Sequence, residues 1–285
     1  MTQRRLAAVC LVTAVVAAVA LASLWLTTAG SGSPIVADSW TTSATVASSV
    51  LGRDMPVEVF TPRNEQPTAL LILFHGRGGD QRQWMEGVLG DGVHVDSLAH
   101  GLIDQHLIRP ITIVSVAIDD SYGVDSAAAN DGYAHGPYGT YIENELLPSV
   151  IERWGGGRPV YLGGLSMGGY VALRLAFEQP DHFAGVGALS PAFWVQPPAD
   201  RAWMYEDGRS YPLTLGQGGA ADQLPLFLGY GTTDYDWVQR ATTQLSQTLA
   251  DRGREIQPTV VSGGHDTTTW RALAEPMLLG LFGSS

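Results

Sequence analysis

The 285-residue chain contains no lysine; all 16 of its basic residues are arginine. That absence excludes a Schiff-base lysine, a Walker-type phosphate lysine and a kinase-type lysine. Cysteine is almost as scarce. The single Cys10 lies near the start, which excludes a disulfide framework, a cysteine nucleophile in the body of the chain and a thiolate metal site. Positive charge is also short: formal net charge is −12, and setting aside Arg4 and Arg5, the only charges in residues 1–29, leaves −14. With no arginine cluster beyond that pair, the chain offers no surface for a phosphate backbone, and nucleic acid is excluded as a partner. Serine, histidine, aspartate and glutamate are left to carry any chemistry.

What is present begins with a leader. The basic stretch MTQRR is followed by an apolar run from Leu6 to Leu26, broken only by Thr13 and Ser23, and then by small residues around Ala29. Two readings stand: an export signal cleaved near Ala29, or an uncleaved single-span anchor through residues 6–26. Both place residues 34–285 outside the membrane, with the arginines on the cytoplasmic side. Cys10, after Val9, reads as one more apolar leader residue. A Ser/Thr-rich stretch, 30–44, reads as a linker, and 45–285 as one catalytic domain, since no repeat or second hydrophobic period appears.

The body alternates strand-like and helix-like segments. Residues 44–63 suggest two strands around a Gly-Arg-Asp turn. The continuous apolar runs Ala69–Phe74 and Ile111–Ile118 suggest strands buried on both faces. Helices are expected near 80–106, 140–153, 170–177, 236–252 and 267–283. Further strands are expected at 160–163, 183–189, 226–230 and 259–261. Such alternation predicts an α/β fold with a mostly parallel sheet covered by helices on both faces. Pro191–Gln223, rich in Pro and Gly, reads as either a small cap or a surface loop.

Between strand 160–163 and the following helix stands Gly164-Leu165-Ser166-Met167-Gly168. A G-x-S-x-G sequence in strand–turn–helix context forces a sharp turn that exposes the serine oxygen. A serine hydroxyl needs a base, and the base an orienting acid. Two histidines follow Ser166: His182, which reads as a solvated helix-end residue, and His265, in a loop at the carboxyl edge of the sheet, where sites in such sheets gather. His265 is the candidate base. Asp234, at the exit of strand 226–230, is the candidate acid; Asp236 is its rival and reads as a helix cap. Asp266 is too close to His265 to orient it. Asp119 and Asp120 precede the serine, against the usual chain order. The loop His75-Gly76-Arg77-Gly78-Gly79 follows a buried strand where backbone donors for an oxyanion are supplied, so the N–H groups of Arg77 and Met167 are the candidate oxyanion hole.

On these residues, with Glu145-Leu146-Leu147-Pro148, Gly231-Thr232-Thr233-Asp234 and Gly263-Gly264-His265-Asp266, the chain resembles α/β-hydrolases of the esterase D type. These include feruloyl and acetylxylan esterases, S-formylglutathione hydrolases and secreted mycolyltransferases. The resemblance spans 45–283 and implies Ser166 as nucleophile, Asp234 as acid, His265 as base and Arg77 and Met167 at the oxyanion hole. The Gly-Gly-His-Asp loop is closest in form to the bacterial feruloyl esterases. An aspartate acid sets the chain apart from mycolyltransferases, and the export leader sets it apart from the cytosolic S-formylglutathione hydrolases. Neither cofactor nor metal is expected: the acidic loop Asp119, Asp120, Asp125 and Asp131 lacks metal-loop spacing, and His94 and His100 are six apart. Trp84, Trp194, Trp203, Trp237 and Trp270 are either core residues or the lining of an aromatic cleft. The expectation is an exported serine hydrolase that cleaves small-molecule or polysaccharide-linked carboxylic esters through an acyl-enzyme. An acyltransferase with the same triad and a catalytically silent cell-envelope binding protein are its alternatives.

Overall fold

The computed structural model describes residues 41–284 except residues 64, 88, 128–131, 206–210 and 220. The leader, Cys10, residues 30–40 and Asp131 lie outside the described residues. Among the described residues no helix is long and apolar enough to cross a membrane.

Among the described residues ten strands and seven α-helices follow in chain order. These are β1 Thr41–Ser48, β2 Arg53–Phe60, β3 Ala69–Phe74, α1 Val95–Asp104, β4 Ile111–Val116, β5 Asp125–Ser126, β6 Gly136–Pro137, α2 Tyr138–Tyr141, α3 Leu147–Val150, β7 Val160–Leu165, α4 Met167–Glu178, β8 Gly185–Leu189, α5 Pro212–Gln217, β9 Leu226–Gly231, α6 Asp236–Ala250, β10 Thr259–Val261 and α7 Thr267–Phe282. Eight strands form one sheet in the order β1-β2-β4-β3-β7-β8-β9-β10, while β5 and β6 pair separately. Within the eight-stranded sheet only β1 with β2 and β2 with β4 run antiparallel, and from β4 to β10 it is parallel; the separate β5–β6 pair is antiparallel. This is the α/β-hydrolase architecture expected from the sequence.

The sheet separates two apolar layers, and β3 shows how. Leu70, Ile72 and Phe74 enter the layer with Val171 and Leu175 of α4, whereas Ala69, Leu71 and Leu73 enter the layer with Leu102 of α1 and Leu278 of α7. Side chains of a strand alternate between faces, so a strand covered on both sides must be apolar at every position. Each such leucine or isoleucine contributes roughly 1.5–3 kcal/mol by its burial.

Three local expectations need correction. β1 begins at Thr41, inside the stretch read as linker; threonine suits an edge strand, whose solvent face tolerates polar residues. The helix expected over 80–106 is confined to α1, because Gly87 takes φ +76° and residues 81–86 form turns. The helix expected over 140–153 runs through 138–155 as α2 and α3 alternating with π-helical turns, Ile142–Leu146 and Ile151–Gly155. Pro148 has no N–H to give to the carbonyl four residues back, and the first wide turn precedes it. Of the two readings of Pro191–Gln223, its described residues speak against a plain surface loop: they contain a 3-10 turn, Ala199–Tyr205, and α5, and bury Trp203, Met204 and Leu213.

Candidate active site

Ser166 occupies the turn between β7 and α4 with φ +51° and ψ −117°, a conformation L residues rarely adopt. The glycines two residues to either side make that turn possible. A Cβ on Gly164 would stand 2.1 Å from the Gly168 backbone, and one on Gly168 would stand 2.1 Å from the Phe74 carbonyl oxygen. The elbow is also tied to the end of β8: Ser166 N–H donates to the Leu189 carbonyl at 2.9 Å, and the Ser166 carbonyl accepts from Ala192 N–H at 2.8 Å.

The parallel sheet carries the loops after β9 and β10 to the same edge. Thr232 N–H donates to the Val261 carbonyl, and Thr233 N–H to the Gly263 carbonyl, both at 2.8 Å, which laces the two loops together. His265 then lies 2.7 Å from Asp234 through Nδ1 to Oδ1, and 2.8 Å from Ser166 through Nε2 to Oγ. An ionised carboxylate only accepts, so Nδ1 carries the proton and Nε2 is free to accept from the serine hydroxyl. Asp234 Oδ1 also accepts from Tyr235 N–H at 2.7 Å. Burial pushes the Asp234 carboxyl up; hydrogen bonds from His265 and the Tyr235 amide, the nearby Ser190 hydroxyl and the His265 charge outweigh it and hold the group below the usual carboxylate range. The three residues joined by these bonds are 4% exposed at Asp234 and 8% at Ser166, with 13% of the His265 side chain exposed. Such an arrangement can move a proton from a hydroxyl to an imidazole beside a carbonyl group.

Across from it, the loop after β3 is braced from three sides. Gly76 N–H donates to Gln83 Oε1 at 2.8 Å, Gly78 N–H to Asp120 Oδ1 at 2.7 Å, and Gly79 N–H to the Gly76 carbonyl at 3.0 Å. Arg77 N–H has no such bond among the described residues. Met167 is the first residue of α4, where a helix leaves the N–H without an acceptor four residues back. Both candidate donors are thus uncommitted, and the helix end favours negative charge. The Arg77 guanidinium lies 4.4 Å above the Tyr133 ring, with Arg201 at 5.0 Å from the same ring.

His75 holds this loop and was not assigned a role from the sequence. It is fully buried, accepts from Ile118 N–H through Nε2 at 3.1 Å and gives its Nδ1 proton to the Gly76 carbonyl at 2.8 Å. Burial pushes its pKa below the ordinary imidazole value. Its place in the His75–Gly79 motif was a signal; its partner on the strand end 43 residues later was not.

The rival residues have other partners. Asp236 is not the cap of α6 but its first residue, mostly exposed and paired loosely with Arg240 at 3.7 Å. Asp266 caps α7, accepting from Thr269 N–H at 3.0 Å. Asp119 pairs with Arg53 and Tyr138, and Asp125 accepts from Thr140. His182 is an exposed turn residue. No group of three potential metal ligands occurs among the described residues. Of the tryptophans, Trp84 is core, donating to the Phe74 carbonyl at 2.9 Å. Trp270 meets the His265 ring edge-on at 5.2 Å, and half-buried Trp194 and Trp237 stack at 4.7 Å beside Tyr235.

Solved structures share this fold. A ferulic acid esterase superposes with a TM-score of 0.69 at 20% identity, covering 85% of this chain and 97% of that one. The fluorophosphonate-binding serine hydrolase F of Staphylococcus aureus, solved with substrate bound, gives 0.64 at 19% identity over 85% and 98%. The enterobactin esterase of Shigella flexneri gives 0.61 at 21% identity over 85% of this chain, but only 59% of that one. The model of the Esterase family matches residues 48–281, a span that holds Ser166, Asp234 and His265. This chain belongs to the Esterase family and is a carboxylic ester hydrolase of the esterase D type.

Proposed function

We propose that the chain is an exported serine esterase in which Ser166 is the nucleophile, His265 the general base and Asp234 the acid that orients it. The observation that carries this reading is the His265 ring, whose two nitrogens reach Asp234 and Ser166 at once. Ser166 Oγ bonds to the ester carbonyl carbon as its proton passes to His265 Nε2. The carbonyl oxygen becomes an oxyanion facing the N–H groups of Arg77 and Met167. Collapse breaks the bond to the alcohol oxygen, which takes the proton from His265 and leaves. Water then gives a proton to His265 and attacks the acyl carbon; the acid departs as Ser166 Oγ recovers its proton. Asp234 keeps its charge throughout and stabilises the imidazolium.

The substrate class is a small-molecule or polysaccharide-linked ester, and the basic, apolar, then small-residue leader supports action outside the cytoplasm, with or without anchoring by residues 6–26. A serine-directed phosphonate tests the mechanism: it should abolish ester hydrolysis and label one peptide, that of Ser166, while prolonged EDTA leaves activity intact. Labelling elsewhere, or loss with EDTA restored by a divalent metal, overturns it. Product analysis with an added alcohol acceptor separates hydrolysis from acyl transfer.

A further inference from the structure

Asp234 uses one carboxylate oxygen for His265 and Tyr235, and its second, Oδ2, is buried with no hydrogen-bond partner within 3.5 Å. One other buried oxygen is in the same condition beside it. Ser190, the residue following β8, has 0% of its surface exposed, and its Oγ likewise lacks a partner within that distance. Buried hydroxyl and carboxylate oxygens are rarely left unpaired, because each has given up water. The two come together because Ser190 N–H donates to the Gly229 carbonyl of β9 at 2.7 Å, which seats the serine at the strand end from which Asp234 departs. Ser190 is also one of the groups that hold the Asp234 carboxyl low.

The backbone points the same way. Ser190 takes φ +47°, a left-handed conformation in which glycine would be cheaper. Leu189 before it and Ala192 two residues after it grip the turn at Ser166, Leu189 accepting from Ser166 N–H and Ala192 donating to the Ser166 carbonyl. A strained, fully buried residue between those two contacts, at the strand end from which Asp234 departs, is a feature that packing alone does not require.

We propose that Ser190 is a positioning residue for the Asp234–His265 pair: its hydroxyl donates to Asp234 Oδ2, so the carboxylate is held at both oxygens and cannot rotate away from the imidazole. The proposal rests on the triad reading above. A hydroxyl donor suits the site because a carboxylate only accepts, and a neutral donor leaves the aspartate its charge for the imidazolium.

The test compares Ser190→Ala, which removes the donor, with Ser190→Gly, which removes it while relieving the positive φ. Both should lower kcat on a chromogenic ester by about tenfold or more with KM within about twofold, as expected when a group acts in the transition state only. Both should also shift the far-downfield proton resonance of His265 Nδ1–H. In an Asp234→Asn background, Ser190→Ala should cost less than about twofold more, because the carboxylate whose orientation the serine sets is already gone. A fall in melting temperature with kcat and the resonance unchanged overturns the proposal, as does a fully additive loss in the double variant. If Asp234→Asn by itself leaves kcat unchanged, the triad reading fails and Ser190 with it, a result separable from failure at Ser190 alone. Ser190→Gly keeps the test open if the alanine variant does not fold.

Discussion

Ser166 and Leu189 are joined by a 2.9 Å hydrogen bond from the serine amide to the leucine carbonyl, so the end of β8 holds the elbow in its strained turn. Ser166→Ala keeps that bond and should fold with nearly the wild-type melting temperature, yet lose ester turnover by at least about a thousandfold. Ser166→Gly should be equally inactive but more stable, by about 1 kcal/mol, because glycine adopts φ +51° without strain. Thermal melts beside an ester assay check both. A glycine variant less stable than wild type would show that the turn stores no strain.

Asp234 and Asp236 are two residues apart and should behave as unrelated sites. Asp234→Asn should lower kcat by about 10³–10⁴, through loss of imidazole orientation and of the charge opposite the imidazolium. Asp236→Asn alters an exposed residue whose ion pair with Arg240 spans 3.7 Å, so its kinetics should match wild type. Steady-state kinetics on the two purified variants decide it, and the reverse pattern would move the acid to Asp236.

His75 makes stability depend on pH. Its folded-state pKa lies below the ordinary imidazole value of about 6.5. Between the two values the unfolded chain binds a proton that the native state does not. Stability should therefore fall as pH drops below about 6.5, by up to about 1.4 kcal/mol per pH unit, until the buried ring itself is protonated. Urea unfolding at pH 7, 6 and 5 should show this slope reduced in His75→Gln. An identical slope in the variant would place the acid sensitivity elsewhere.

Two glycines should respond to alanine in opposite ways. Gly168→Ala drives a Cβ to 2.1 Å from the Phe74 carbonyl oxygen, a backbone clash at the elbow, and should destabilise by more than about 2 kcal/mol and abolish activity. Gly101 lies within α1, where an added Cβ meets nothing nearer than 4.0 Å. Gly101→Ala should stabilise by about 0.5–1 kcal/mol without changing kinetics. Melting temperatures of the two variants provide the check.

The parallel sheet and the elbow were legible in the sequence because both are written in short windows. A buried strand needs an unbroken apolar run such as Ala69–Phe74, and the turn at Ser166 needs glycines at fixed offsets to let backbones touch. Where local signals were ambiguous the reading slipped. Thr41–Ala44 looked like linker but is strand, and the apolar spacing over 80–106 hid the reversal at Gly87. What only the tertiary structure decided are the contacts between residues far apart in the chain. His265 meets Asp234 across 31 residues and Ser166 across 99, because a parallel sheet delivers the exits of successive strands to one edge. The bracing of the loop after β3 by Asp120 and His75, and the seat of Ser190 beside Asp234, follow from that same strand register. A serine, a histidine or an aspartate in a loop carries no mark of its partner. The partner is set by which strand ends lie side by side.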